Sequence, residues 1–240
     1  RPFSPRARQR YTGRRFAGIL PMGHWIQLDT PRGRIGAWRA DPADAPRGAL
    51  VVVQEIFGVN AHIRSVAESF AIDGYVAIAP AYFDVLEPRV ELGYDDTGFA
   101  LGRDLITRLG LDAAVDITAS AADAVAGAGK VGCVGYCWGG TVALLAPMRL
   151  ALPSVSYYGA RNAPFLTGTP LAPVMFHFGD RDTSIPPKMV QQHRDLLPQM
   201  DVFTYPAEHG FNNDLRTDYE PSSARLARER TLDFFARNLA

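Results

Sequence analysis

Cysteine is nearly absent from the chain: Cys133 and Cys137 are the only two among 240 residues. They stand four apart rather than as a CxxC pair, and no nearby histidine pair completes a zinc site. Neither a disulfide framework nor a metal is expected, and a reducing, cytoplasmic setting is. Long apolar runs are also missing. None approaches the roughly 18 residues that a membrane-spanning helix needs, so no membrane partner is expected. Net charge is lacking as well, with 25 basic residues against 25 acidic ones. That balance is uneven along the chain. Residues 1–21 contain no acid and six arginines (Arg1, Arg6, Arg8, Arg10, Arg14, Arg15), so the remainder carries six more acids than bases. A mildly acidic body argues against nucleic acid as a partner. The opening stretch has no apolar core for a secretory signal. It reads as a basic arm, disordered or upstream of the fold, with one domain spanning residues 22–240.

What remains is an alternation of strand and helix. HWIQLDT and GRIGAWRA alternate in hydrophobicity around Pro31-Arg32-Gly33 and read as a hairpin. ALVVVQEI, GYVAIAP, KVGCVG, SVSYYG and APVMFHFG are continuous apolar runs, the pattern of parallel strands buried on both faces. Helical spacing separates them, at 62–72, 99–108, 112–127, 140–149 and 187–197. DVFTYP reads as a last strand, and 222–238 as a last helix with Leu226, Leu232 and Phe235 on its apolar face. Residues 81–97 have no period and are expected to form a loop or lid. The pattern is that of a doubly wound, mostly parallel α/β sheet with helices on both faces, whose ligand site lies beyond the carboxyl ends of the strands.

One of those ends reads GYCWGG, residues 135–140. This is the G-x-nucleophile-x-G elbow of the α/β-hydrolase fold with cysteine as the nucleophile. Gly135 and Gly139 supply missing side chains where a sharp turn crowds its neighbours, and the following helix directs its positive end at the thiol. Cys133, inside the strand, reads as a small buried residue. A thiol nucleophile needs a base, and the base an orienting acid. GDRD, residues 179–182, offers Asp180 and Asp182 after one strand; EHGF, residues 208–211, offers His209 after the next. Nucleophile, acid, histidine is the chain order of α/β-hydrolases. Asp182 is taken as the acid, with Asp180 bracing the turn. His177 reads as structural, and His24, His62 and His193 as surface residues without a role. The oxyanion is expected on the amides of Trp138 and Ile56.

QEIFGVN, GYCWGG, GDRD and EHGF, in this order and spacing, resemble the dienelactone hydrolase (carboxymethylenebutenolidase) family over residues 24–238. The resemblance implies an α/β-hydrolase fold and an ester- or lactone-cleaving cysteine enzyme without metal or organic cofactor. It places Cys137, Asp182 and His209 on the family's triad. It also places Glu55 on a glutamate that contacts the resting thiol until substrate displaces it. Two arginines that hold the substrate carboxylate in the founding members are missing, because Val85 and Asn213 occupy their places. Arg161 and Arg216 are near in sequence and are candidate substitutes. Phe57, Tyr82, Tyr158 and Phe211 are expected to line an apolar or aromatic acyl pocket. A thioesterase or promiscuous arylesterase is the rival enzymatic reading, and a non-catalytic ligand-binding module the rival outside enzymes. A monomer or weak homodimer is expected.

Overall fold

The computed structural model describes residues 23–240, so the expectations for residues 1–21 and the boundary at Met22 lie outside the described residues. The strands run β1 (His24–Thr30), β2 (Gly33–Ala40), β3 (Ala49–Val53), β4 (Val76–Pro80), β5 (Val131–Tyr136), β6 (Ser154–Tyr157), β7 (Val174–Gly179) and β8 (Asp201–Tyr205). The helices are α1 (Ala61–Ile72), α2 (Asp96–Leu109), α3 (Leu111–Val125), α4 (Trp138–Arg149), α5 (Pro187–Leu196) and α6 (Pro221–Asn238).

The strands form one eight-stranded sheet in the order β1-β2-β4-β3-β5-β6-β7-β8. The β1–β2 hairpin is antiparallel, as is the β2–β4 pair, and all remaining pairs are parallel. Every residue of β3 and β7 is buried, which explains their unbroken apolar sequences: helices cover both faces. Phe70 of α1 and Phe235 of α6 belong to one core, while Ile106 of α2, Ile117 of α3 and Val142 of α4 belong to the other. Winding reverses between β3 and β5, because β4 lies on one side of β3 and β6 on the far side of β5. A doubly wound sheet opens its crevice at such a reversal. Here Val53 pairs with Gly135, which sets the loop after β3 beside the turn after β5.

Two expectations change. The buried face of α6 consists of Ala224, Ala227, Thr231, Phe234 and Phe235, whereas Leu226 is exposed and Leu232 only partly covered. The helix is seated by its small residues, which let it approach the sheet; the larger leucine was the misleading cue. The loop expected over 81–97 is shorter, with a 3-10 turn at Tyr82–Val85, a bridge from Glu91 to Gly58 and α2 already begun at Asp96. The Leu92 amide donates to the Phe57 carbonyl at 2.9 Å, and Arg64 pairs with Glu91 at 2.7 Å. Among the described residues no helix is long and apolar enough to cross a membrane.

Candidate active site

Strand β5 ends at Tyr136 and α4 begins at Trp138, leaving Cys137 alone in the turn at φ 56° and ψ −117°. A non-glycine residue in this region costs on the order of 1–3 kcal/mol and persists only where its surroundings enforce it. The enforcement is visible in the glycines. A Cβ on Gly135 would lie 1.9 Å from the Gly139 carbonyl oxygen, and one on Gly139 would lie 2.4 Å from that of Gln54. The Cys137 amide donates to the Tyr157 carbonyl at 3.0 Å, tying the turn to β6.

The half-buried thiol faces a histidine. His209 Nε2 lies 3.2 Å from Cys137 Sγ, and His209 Nδ1 lies 2.7 Å from Asp182 Oδ2. Asp182 is 4% exposed, and its other oxygen accepts from the Ser184 amide at 2.8 Å, which fixes the carboxylate plane. Asp180 is exposed and takes no part. Burial opposes a charged imidazole, but the neighbouring Cys137 and the Asp182 carboxylate outweigh it and raise His209 from its ordinary 6.5 to about 10. The amides of Trp138 and Ile56 make no hydrogen bond to another protein group among the described residues. Gly139 packs on the carbonyls of Val53 and Gln54, which brings the α4 terminus up to the Ile56 loop. The arrangement brings together a thiol, an imidazole oriented by a buried carboxylate and two free amides, the groups that acyl transfer needs.

Sequence comparison agrees in kind. The profile of the Dienelactone hydrolase family matches residues 35–239. The chain belongs to the dienelactone hydrolase family. It is an ester-bond hydrolase of the α/β-hydrolase fold. It is 34% identical to a candidate carboxymethylenebutenolidase of Synechocystis sp. over 228 residues, which cover 86% of this chain and 93% of that relative. With the carboxymethylenebutenolidase of Pseudomonas putida it shares 33% identity over 218 residues, 84% of this chain and 90% of the relative. The crystal structure of a candidate dienelactone hydrolase from Klebsiella pneumoniae superposes with a TM-score of 0.79 at 29% identity, covering 90% of this chain and 98% of the other.

Glu55 of this dienelactone hydrolase family member is held from the loop after His209. No hydrogen bond joins Glu55 to Cys137 among the described residues. Instead Glu55 Oε2 accepts from Asn213 Nδ2 at 2.7 Å, and Arg216 Nη1 stands 3.9 Å from Oε1. Asn213 also donates to the Tyr94 hydroxyl at 3.0 Å, and Arg216 pairs with Asp218 at 2.8 Å. Burial opposes the Arg216 charge, but Glu55 and Asp218 outweigh it and hold the guanidinium charged.

The expected pocket aromatics do not line the cleft. Phe57 is buried against Tyr94 and Phe99. Tyr82 bonds Thr118 at 2.8 Å and packs edge-on to Trp138. Phe211 is buried among Tyr157, Tyr158 and Tyr205. Tyr158 is buried 5.1 Å from the His209 ring and supports the imidazole from behind. The site opens into a cleft of about 230 Å³, lined by Phe99, Arg103 and Ile106 of α2 and by Arg161 as well as by Cys137 and His209. Helix α2 sits low there because Gly102 has no side chain: a Cβ would fall 2.3 Å from the Ile56 carbonyl oxygen. Arg103 and Arg161 form no ion pair among the described residues. Val85 is partly buried against the second core rather than facing the cleft.

Two histidines assigned to the surface are buried. His62 meets Asp214 at 3.3 Å. His193 donates from Nδ1 to the Met189 carbonyl at 2.8 Å, so its Nε2 accepts from Asn162 Nδ2 at 3.0 Å, which anchors the loop carrying Arg161. Among the described residues no cluster of three or more His, Cys, Asp or Glu side chains is placed to hold a metal ion.

Proposed function

We propose that the protein hydrolyses small esters or lactones through an acyl-enzyme on Cys137. The observation that carries the reading is the continuous chain Cys137–His209–Asp182 at 3.2 and 2.7 Å, opening into a cleft of substrate size. The Cys137 thiolate adds to the carbonyl carbon, and the oxyanion rests on the Trp138 and Ile56 amides. As the C–O bond breaks, imidazolium His209 gives its proton to the leaving oxygen. Neutral His209 then takes a proton from water, the hydroxide adds to the thioester, and the C–S bond breaks to return the thiolate and the carboxylic acid. Asp182 holds the imidazole in the tautomer that turns Nε2 to the sulfur.

The relatives named carboxymethylenebutenolidase act on a lactone that carries a carboxylate. Here the unpaired Arg103 and Arg161 at the cleft wall are the cations within reach of such a group. An uncharged aryl ester instead fits Phe99 and Ile106. Intact-protein mass spectra with a carboxylated dienelactone, an uncharged lactone and an aryl ester separate these readings. The acyl mass is expected on Cys137, followed by release. Absence of any adduct and any turnover in the folded protein would sink the hydrolase assignment of this site.

Two further results are expected. Asp182→Asn presents an amide to Nδ1, favours the wrong tautomer and lowers kcat/KM by about a hundredfold or more at an unchanged melting temperature. In the wild type, kcat/KM declines on the alkaline side with a limb near pH 10, where His209 loses the proton it must donate. A limb near neutrality instead would mean that His209 does not carry that charge.

A further inference from the structure

Between β3 and α1 the chain turns successive carbonyls to different neighbours. The Gln54 carbonyl backs onto Gly139, where a Cβ would fall 2.4 Å from its oxygen. The Ile56 carbonyl lies against Gly102 in the same way, at 2.3 Å. The Phe57 carbonyl accepts from the Leu92 amide at 2.9 Å. The Glu55 carbonyl has no such backbone donor among the described residues and accepts instead from the Gln54 side chain, with Nε2 at 3.2 Å. Gln54 is fully buried, and its Oε1 has no hydrogen-bond partner. A buried amide left half-bonded is costly, and an apolar side chain of the same shape would avoid that cost. Half a turn of the amide would set Oε1 against another carbonyl oxygen, so the Glu55 contact fixes which end faces the backbone.

That contact falls on a particular peptide. The Glu55 carbonyl and the Ile56 N–H are opposite ends of one planar unit, so neither turns without the other. Ile56 lines the cleft beside Cys137 and Trp138, and its N–H makes no hydrogen bond to another protein group among the described residues.

We propose that Gln54 is a positioning residue for the oxyanion site: its side-chain amide holds the Glu55–Ile56 peptide so that the Ile56 N–H is aimed before substrate arrives. Gln54 itself is sealed from the cleft and touches no substrate. A donor on the carbonyl also polarises the peptide and strengthens the N–H at its far end. A donor aimed in advance costs no reorganisation when charge develops on the substrate oxygen. This role exists only if the acyl-enzyme chemistry proposed above does.

The test compares two reactions of Cys137 in Gln54→Met, whose side chain has similar length and no donor. One is acylation by 4-nitrophenyl acetate, read as nitrophenol release in the first turnover. The other is alkylation by iodoacetamide, a displacement at saturated carbon that forms no oxyanion. Acylation at saturating ester is expected to slow by at least about tenfold, short of the roughly hundred- to thousandfold that outright loss of an oxyanion donor costs. KM is expected to stay within about twofold, because the donor meets full charge only in the transition state. Alkylation is expected to keep its wild-type rate, since the thiol, His209 and Asp182 are untouched. This split between the two reactions is the readout that a general loosening of the elbow would not give. Acylation at wild-type speed in folded Gln54→Met overturns the proposal. So does an equal fall in both reactions, which would mean that Gln54 only packs beneath the turn. If Gln54→Met does not fold, Gln54→Asn, whose amide stops one methylene short of the carbonyl, is measured with the same outcomes. A wild type that is alkylated but never acylated, by this ester or by the panel above, overturns the acyl-enzyme reading and this role with it. A wild type that turns over beside an equally fast variant overturns the role of Gln54 alone.

Discussion

Replacing Cys137 by serine is expected to lower kcat/KM for a small aryl ester by about a thousandfold while the melting temperature moves by only a few degrees. The two side chains differ by one atom, but the site is fitted to the sulfur. His209 is raised to about 10 in large part by the thiolate charge beside it. A hydroxyl ionises far less readily than a thiol, so the imidazolium loses that support. The 3.2 Å between Nε2 and the sulfur also widens, because a C–O bond is shorter than a C–S bond. Cys137→Ala, measured alongside, gives the floor set by the oxyanion amides and binding alone. Full activity in either variant would remove Cys137 from the chemistry.

A second large effect, on folding rather than turnover, is expected from Gly135→Ala. The new methyl would fall 1.9 Å from the Gly139 oxygen and 2.4 Å from its carbonyl carbon. Both are backbone atoms of the elbow and cannot rotate away. Relief requires β5 and the start of α4 to separate, which breaks packing on both faces of the sheet. A loss of more than about 3 kcal/mol, or failure to accumulate folded protein, is expected in chemical denaturation. Gly127→Ala is the matched control, since nothing lies within 4 Å of its Cβ, and it should be neutral or slightly stabilising. If the two variants unfold at the same denaturant concentration, the elbow is not the tight closure described.

The sequence made the strands and the Cys137, Asp182 and His209 positions legible because both depend on local pattern. A strand buried on both faces must be apolar throughout, and an elbow must carry its glycines at fixed spacing. The cleft wall was not legible for the opposite reason. Phe57, Tyr82, Tyr158 and Phe211 stand at strand ends like the reactive groups do, but strand ends in a covered sheet lie in the core as readily as at the surface. The residues that do border the cleft, Phe99, Arg103 and Ile106, come from α2, whose placement depends on contacts distant in sequence. Asn213 was legible only as a missing arginine. Its bond to Glu55 spans 158 positions, and no local signal announces it. His62 and His193 looked like surface residues because their polar partners, Asp214 and Asn162, lie in other segments.

The seat of α2 on Ile56 has a consequence for how this scaffold can diversify. One helix both lines the cleft, through Phe99, Arg103 and Ile106, and rests on the carbonyl of Ile56, whose amide is proposed for the oxyanion. Selectivity and rate are therefore not independent settings here. A change that lifts the helix to admit a bulkier substrate also moves the peptide next to the one whose N–H is proposed for the oxyanion, so new specificities reached along α2 are expected to arrive with a loss of speed. Variation around Ala160 and Arg161 is coupled in turn to α4, because the Arg161 amide donates to Thr141 Oγ1 at 3.2 Å on the helix that begins at Trp138.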